Sequence, residues 1–159
     1  MLKILLAGDG GQGVQLISKI LSNSVFESGL DIMQIPNYGL EQRGGVSLSF
    51  IKISEDEIVY PKFSQADVVL ILSDQARERI KNYIGDKTEK IDILDFKDRL
   101  KEQSISLFSF NIFFLGVILK KLKENKIDIL ENAFKLLEEK LSTKPNWEEN
   151  KKAFEMGLK

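Results

Sequence analysis

The sequence predicts an α/β domain, and three observations carry that prediction. An apolar run at residues 2–7 ends in a glycine-rich turn and gives way to a segment with apolar residues at helical spacing. A second apolar run, residues 67–72, again precedes a polar helical segment. The last third of the chain carries three more helical patterns. Apolar runs that alternate with helical segments mark strands buried in a sheet with helices across its faces. At 159 residues, 43% hydrophobic, the chain has the size and apolar content of one domain spanning residues 1–159.

Each element follows from local pattern. Residues 2–7 read as a buried strand. Residues 12–28 place Val14, Ile17, Ile20, Leu21 and Val25 on one helical face, and Gly29 stops the helix. Residues 31–35 form a second strand ended by Pro36, which completes a βαβ unit with a right-handed crossover. Residues 46–53 alternate apolar and polar in part, and the turn at 54–57 leads to Ile58, Val59 and Tyr60, a spacing that suggests a hairpin. Residues 67–72 give a third buried strand, 74–83 a polar helix and 90–94 an edge strand. Helices follow at 106–123, 128–141 and 145–158. The first of these is apolar on nearly every side between Phe108 and Leu119 and must be covered by the sheet, by the later helices or by a partner subunit. It is too short for a bilayer, which needs about 20 apolar residues. The expected architecture is a three-layer Rossmann-like α/β domain, its sheet mostly parallel with an added hairpin, ending in a helical third.

Composition narrows the function. Net charge is −1, with Lys and Glu mixed along the C-terminal third, so no footprint for nucleic acid or an anionic membrane is present. The absence of Cys removes disulfides, thiolate catalysis and iron–sulfur ligation. The absence of His removes the commonest metal ligand and general base. No metal site of this chain is therefore expected. The opening residues lack a small-x-small cleavage site and run straight into the glycine turn, which points to the cytoplasm.

Two segments carry the chemistry. In the first, Gly8-Asp9-Gly10-Gly11-Gln12-Gly13-Val14, glycines put bare backbone where a strand hands over to a helix N-terminus, a place suited to an anion or polar group. Gly8, Gly10 and Gly13 also satisfy the dinucleotide fingerprint, so an independent Rossmann-type nucleotide-binding or regulatory module is the alternative function. Against it, no acid follows the second strand at residues 32–36 to take a ribose, and Asp9 sits inside the loop. A tight turn without a ligand is the plainest reading of the loop alone. Gln12 can donate and accept at once and suits the edge of a neutral polar ligand. The second segment, Tyr38-Gly39-Leu40-Glu41-Gln42-Arg43-Gly44-Gly45, sets a fixed cation beside glycine amides, as a phosphate or carboxylate would require. A solvated Glu41–Arg43 pair and a Tyr38 packed under the loop are the bland readings of those residues.

In these two segments the chain resembles the gamma subunit, or gamma domain, of the 2-oxoacid:ferredoxin oxidoreductases, the pyruvate, 2-oxoglutarate, 2-oxoisovalerate and indolepyruvate enzymes. The first segment is similar to that family's G-x-G-G-Q-G-V and the second to its Y-G-x-E-x-R-G-G. The similarity continues through Ile53-Ser54, residues 58–61 and 66–69, Asn111 to Gly116, and Asn150, Ala153, Phe154 and Gly157. The resemblance implies one subunit of a thiamine-diphosphate enzyme that decarboxylates a 2-oxoacid oxidatively, forms an acyl-CoA and passes electrons to ferredoxin. It puts thiamine diphosphate and Mg²⁺ in alpha and beta subunits and iron–sulfur clusters in beta or delta, in agreement with the missing cysteines. It gives this chain a part in assembly and in CoA positioning, with Gly10, Gly11, Gln12 and Gly13 as a loop that meets CoA or the neighbouring subunits. Tyr38, Glu41, Arg43 and Gly44 would form a second wall, and by the same resemblance no residue of this chain would be catalytic. The isolated chain would be inactive and would expose apolar surface around the 108–119 helix. Arg43-Gly44-Gly45 is closer to the 2-oxoglutarate and indolepyruvate types than to the pyruvate type, and 2-oxoglutarate is the favoured substrate.

Overall fold

The computed structural model describes residues 1–38 and 45–159. Five strands form one sheet in the order β2-β3-β1-β4-β5, with β1 Leu2–Asp9, β2 Asp31–Tyr38, β3 Val46–Ser54, β4 Val68–Ile71 and β5 Glu89–Asp92. β1 pairs parallel with β4 and β4 with β5, while β3 runs antiparallel to both β1 and β2. Four strands thus point one way and β3 alone opposes them. The sheet is mostly parallel by direction, yet half of its pairings are antiparallel.

The helices are α1 Val14–Glu27, α2 Asp74–Arg79, α3 Lys97–Glu102, α4 Phe110–Glu124, α5 Leu130–Leu141 and α6 Trp147–Leu158. Alternation along the strands sorts them into layers. Ile4 and Leu6 of β1, Ile51 and Ile53 of β3, and Val68 and Leu70 of β4 share one core with α1, α4, α5 and α6. Leu5, Ala7, Leu48, Val69 and Ile71 face the other way, toward Ala76 of α2, Ile80 and the partly buried Phe63 and Tyr83. The expected three layers are present, with the helical third of the chain stacked on one of them.

Several expectations need correction. Residues 58–60 form no strand. Both flanks of β3 are already taken by β1 and β2, so no free edge remains for a hairpin partner. The added hairpin is the antiparallel β2–β3 pair, and 58–60 crosses the sheet face instead, held by the Ile58 N–H on Asp31 Oδ2 (2.6 Å) and by Lys52 Nζ on the Tyr60 carbonyl. β3 also intervenes between β1 and β2, so the βαβ unit is split. Pro36 lies inside β2 opposite Ser49, which an edge strand tolerates because one side of its ladder is unpaired. The polar helix stops at Arg79 and a 3₁₀ turn, Lys81–Tyr83, replaces its end. α3 had no counterpart in the reading of the sequence. Gly29, at φ +82, does end α1 as expected, its N–H reaching the Phe26 carbonyl.

The apolar helix is covered by its own chain. Ile112, Phe113, Phe114, Leu115, Ile118, Leu119 and Leu122 of α4 are buried, so the expected exposed surface around it shrinks to Leu107 and Phe108, 80% and 86% exposed, in the 3₁₀ turn before it. α4 crosses α6 at backbone contact. A Cβ on Gly157 would fall 2.0 Å from the Phe113 carbonyl oxygen, and one on Gly116 would fall 2.4 Å from that of Phe154. Neither obstacle is a side chain that could rotate away. Gly157→Ala is therefore expected to push the helices apart and to cost about 2–3 kcal/mol, read as a lower urea midpoint at unchanged m-value.

Candidate functional site

β1 and β4 lie side by side at the centre of the sheet, and the chain leaves them in opposite directions, β1 through α1 toward β2 and β4 through α2 toward β5. Open α/β sheets bind ligands in the crevice at such a switch point, beyond the carboxyl ends of the strands. The glycine turn closes β1 there.

Backbone geometry explains the glycines. Gly11 has φ +94 and Gly13 φ +80, a region that other residues enter at a cost. Gly13 is the N-cap of α1 and supplies no side-chain hydrogen bond, so the first-turn N–H groups stay available to a ligand oxygen. Gly10 and Gly11 are exposed at the rim. Gln12 works inward: its Oε1 accepts from the Asp9 N–H at 2.6 Å and its Nε2 donates to the Leu72 carbonyl at 3.1 Å, clasping the ends of β1 and β4. A carboxamide carries a second N–H that this clasp does not use. Asp9, whose charge would oppose an anion in the loop, accepts from Ser73 Oγ at 2.6 Å, and the same hydroxyl caps α2 at the Ala76 N–H.

The two motif segments meet. The Gly10 N–H donates to the Gly45 carbonyl at 2.8 Å, because β3 begins where β1 ends, with Val46 opposite Asp9. Tyr38 closes β2; Glu41, Arg43 and Gly44 lie outside the described residues. Sequence reasoning missed one neighbour of the loop. The Asn111 carboxamide, in the first turn of α4, fills the space beside Gly13, where a Cβ would fall 2.2 Å from its Nδ2. Its signal was a polar amide at the start of an otherwise apolar helix. The intervening β3 also tells against the dinucleotide alternative, since it separates the end of β2 from the β1 loop.

Next to the crevice, Arg77 of α2 grips Asp92 at the end of β5 through Nε (2.9 Å) and Nη2 (2.8 Å), and also meets Asp74. Burial alone would push the Asp92 carboxyl up, but the Arg77 fork, the Leu94 N–H and nearby positive charge outweigh it and hold the carboxyl below its ordinary value. The Arg77 guanidinium is correspondingly held above its own. Among the described residues no three His, Cys, Asp or Glu gather as metal ligands, and no helix is long and apolar enough to cross a membrane.

The fold and the loop thus define an open α/β domain with a glycine-walled crevice at its switch point. Over residues 3–90 the sequence matches the pyruvate ferredoxin/flavodoxin oxidoreductase family, and the chain belongs to that family. Among curated relatives, a 2-oxoglutarate synthase subunit KorC from Methanocaldococcus jannaschii is 31% identical over 135 residues, covering 73% of this chain and 72% of that one. KorC from Archaeoglobus fulgidus is 35% identical over 88 residues, covering 55% of this chain; the match spans only 47% of that relative. A keto/oxoacid ferredoxin oxidoreductase gamma subunit from Geobacter sulfurreducens has the same fold, with TM-score 0.74 at 23% identity over 99% of this chain and 96% of that one. A 2-oxoglutarate:ferredoxin oxidoreductase from Magnetococcus marinus, solved with 2-oxoglutarate, coenzyme A and succinyl-CoA bound, superposes with TM-score 0.78 at 20% identity over 99% of this chain and 30% of that one.

Gln12→Ala removes both halves of the clasp and is expected to cost about 1–3 kcal/mol, measured by urea unfolding, with hydrogen exchange of the Asp9 amide accelerated. For Asp92 the depressed pKa means that its stabilisation is present above the ordinary value of 3.8 and is lost as pH falls through the lower folded value. Arg77→Met should cost about 1 kcal/mol at neutral pH, and the gap to wild type should close as the solution is acidified below pH 3.8, followed by unfolding at each pH.

Proposed function

We propose that this chain is the gamma subunit of a thiamine-diphosphate-dependent 2-oxoacid:ferredoxin oxidoreductase, with 2-oxoglutarate as substrate, and that it contributes to assembly and to holding CoA. The reaction converts 2-oxoacid, CoA and oxidised ferredoxin into acyl-CoA, CO₂ and reduced ferredoxin. The observation that carries the proposal is the 31% identity to a 2-oxoglutarate synthase subunit over 73% of this chain and 72% of that relative. The whole chain, residues 1–159, would act as one gamma domain in the cytoplasm.

The residues fit a CoA-holding part and no electron-carrying one. Without Cys the chain offers no thiolate to an iron–sulfur cluster; in this reading, as the family resemblance implies, thiamine diphosphate and Mg²⁺ lie with alpha and beta partners and the clusters with beta or delta. The glycine loop offers uncharged donors: the N–H groups of Gly11 and Gly13 and the spare N–H of Gln12, with Gly10, whose own N–H is held by the Gly45 carbonyl, leaving the rim open beside them. With Asp9 engaged by Ser73, backbone amides can face the phosphate or amide oxygens of CoA. Tyr38, Glu41, Arg43 and Gly44 supply the second wall in this reading, Arg43 as its fixed cation. The contribution to rate is orientation of the thiol toward chemistry carried by the partners' cofactor, and no proton transfer is assigned to this chain. The exposed Leu107 and Phe108 suit contact with a partner subunit.

A tagged copy purified from the native cell is expected to retain cysteine-rich, thiamine-dependent partners and to reduce a dye with 2-oxoglutarate and CoA, but not with either alone. Activity with a different 2-oxoacid would change the substrate. A lone, inactive chain that binds a nucleotide would replace this reading with the regulatory-module alternative.

A further inference from the structure

We infer that the outer face of β2 and β3, on the α2 side of the sheet, is a docking surface for a partner subunit, which seats one large apolar side chain in an aromatic pocket and sets a carboxylate on Lys62; this rests on the reading of the chain as one subunit of a larger oxidoreductase. Strand alternation leaves that face open. Met33, Ile35 and Asn37 of β2 point the same way as Phe50 and Lys52 of β3, away from the core shared by α1 and α4. α2, the helix on that side, sits over β1, β3 and β4. Beyond it, Ile35, Asn37 and Phe50 form a pocket of about 280 Å³ with Lys62, Phe63 and Tyr83.

The walls of the pocket are preset. Phe63 and Tyr83 meet Phe50 edge to face, with ring centroids 5.5 and 5.2 Å away, so the three rings hold one another while each stays partly exposed. The segment that delivers Lys62 and Phe63 is tied down just before them, at Ile58 by Asp31 and at Tyr60 by Lys52, and it holds Val59 and Tyr60 outward, 86% and 64% exposed. A fixed segment that presents apolar side chains to water marks a contact surface. Charge specifies the partner. Lys62 is exposed and has no ion pair among the described residues, and no carboxylate lines the pocket. Asp31, the acid on the same side of β2, is already engaged by the Ile58 N–H. The pocket is thus apolar with one uncompensated cation at its lip, and its complement is an apolar side chain next to an acid. Its volume falls below the roughly 300–1,000 Å³ of small-molecule sites and suits one anchoring side chain.

The test compares the isolated chain with the complex purified through a tagged copy. Lysine acetylation, read by mass spectrometry, is expected to slow about tenfold or more at Lys62 on assembly, while the buried Lys52 reacts slowly in both states. Lys62→Glu opposes the partner's carboxylate, and Asn37→Trp fills the pocket from its exposed lip. Each is expected to weaken retention of the partner subunits about tenfold in competition with wild type, and Lys62→Arg to retain them as wild type does. Urea midpoints check that the variants fold; where a midpoint falls, the labelling decides alone. Lys62 labelled in the complex at the free-chain rate would overturn the inference, as would wild-type retention in either folded variant. Protection of Lys62 in a homodimer of the isolated chain would make a second copy the occupant and overturn it too. Partner subunits retained with Lys62 unprotected remove only this surface, whereas a chain that retains no partners removes the subunit reading along with it.

Discussion

The carboxamide of Gln12 ties together two parallel strands whose chains part company immediately beyond it. β1 turns onto one face of the sheet through α1 and β4 onto the other through α2, so the end of the sheet would open between them. Crossovers of one hand leaving in opposite directions must use opposite faces, which is why a crevice forms there in any sheet of this kind. In this chain the crevice is given a floor by Gln12 and a wall by Asp9 and Ser73, with backbone amides left at its rim. Internal polar groups thus satisfy one another first, and what remains unsatisfied is the neutral donor edge of the turn.

The reversed strand β3 has a comparable reach. By entering antiparallel between β1 and β2 it brings Gly45, the residue just before it, to the glycine turn, so that the two motifs share a hydrogen bond between residues 10 and 45. It also sets the packing of α1. Ser18 of the helix meets Ser49 of β3 at 2.6 Å, Gln34 of β2 donates to Ser18 at 2.6 Å, and Gln15 donates to the Leu48 carbonyl at 2.9 Å. Small, hydrogen-bonded side chains let helix and sheet approach closely at a seam where a purely apolar contact would leave register free to slip. The helix that carries the open N–H groups is thereby anchored on the strand that delivers the second motif.

The elements and layers were legible in the sequence wherever the signal was local. The strand runs, the helical periods and the Gly29 stop all depend on residues within one window. Strand order was not legible in the same way. Ile58, Val59 and Tyr60 have strand-like composition, but only the occupancy of both edges of β3 decides that they cannot pair, and that is a property of the whole sheet. The division of labour inside the glycine turn was also hidden. Gln12 reads as a ligand group until the Leu72 carbonyl, 60 residues away, is seen to occupy one of its N–H groups. α3 escaped notice because six residues with one buried side chain, Leu100, leave almost no period to detect.

The helical third supplies what the sheet lacks. Gly116 and Gly157 let α4 and α6 meet backbone to backbone, and Ser109, at the start of α4, is held by Asn150 of α6 at 2.8 Å. Glu149 of α6 accepts from the Ser106 N–H at 2.8 Å, and hydrogen bonds from Ser106 hold its carboxyl below the ordinary value. Two contacts from α6 therefore fix the entry of α4, at Ser106 and Ser109 before Asn111, and the glycine crossing fixes the helix beyond it. A shift of α4 along its axis would withdraw the carboxamide from Gly13, and a rotation about that axis would present Phe110 or Ile112 in its place, an apolar side chain beside uncapped N–H groups. The close helix crossing, which has no contact with the crevice, is the constraint that keeps a polar side chain at its mouth.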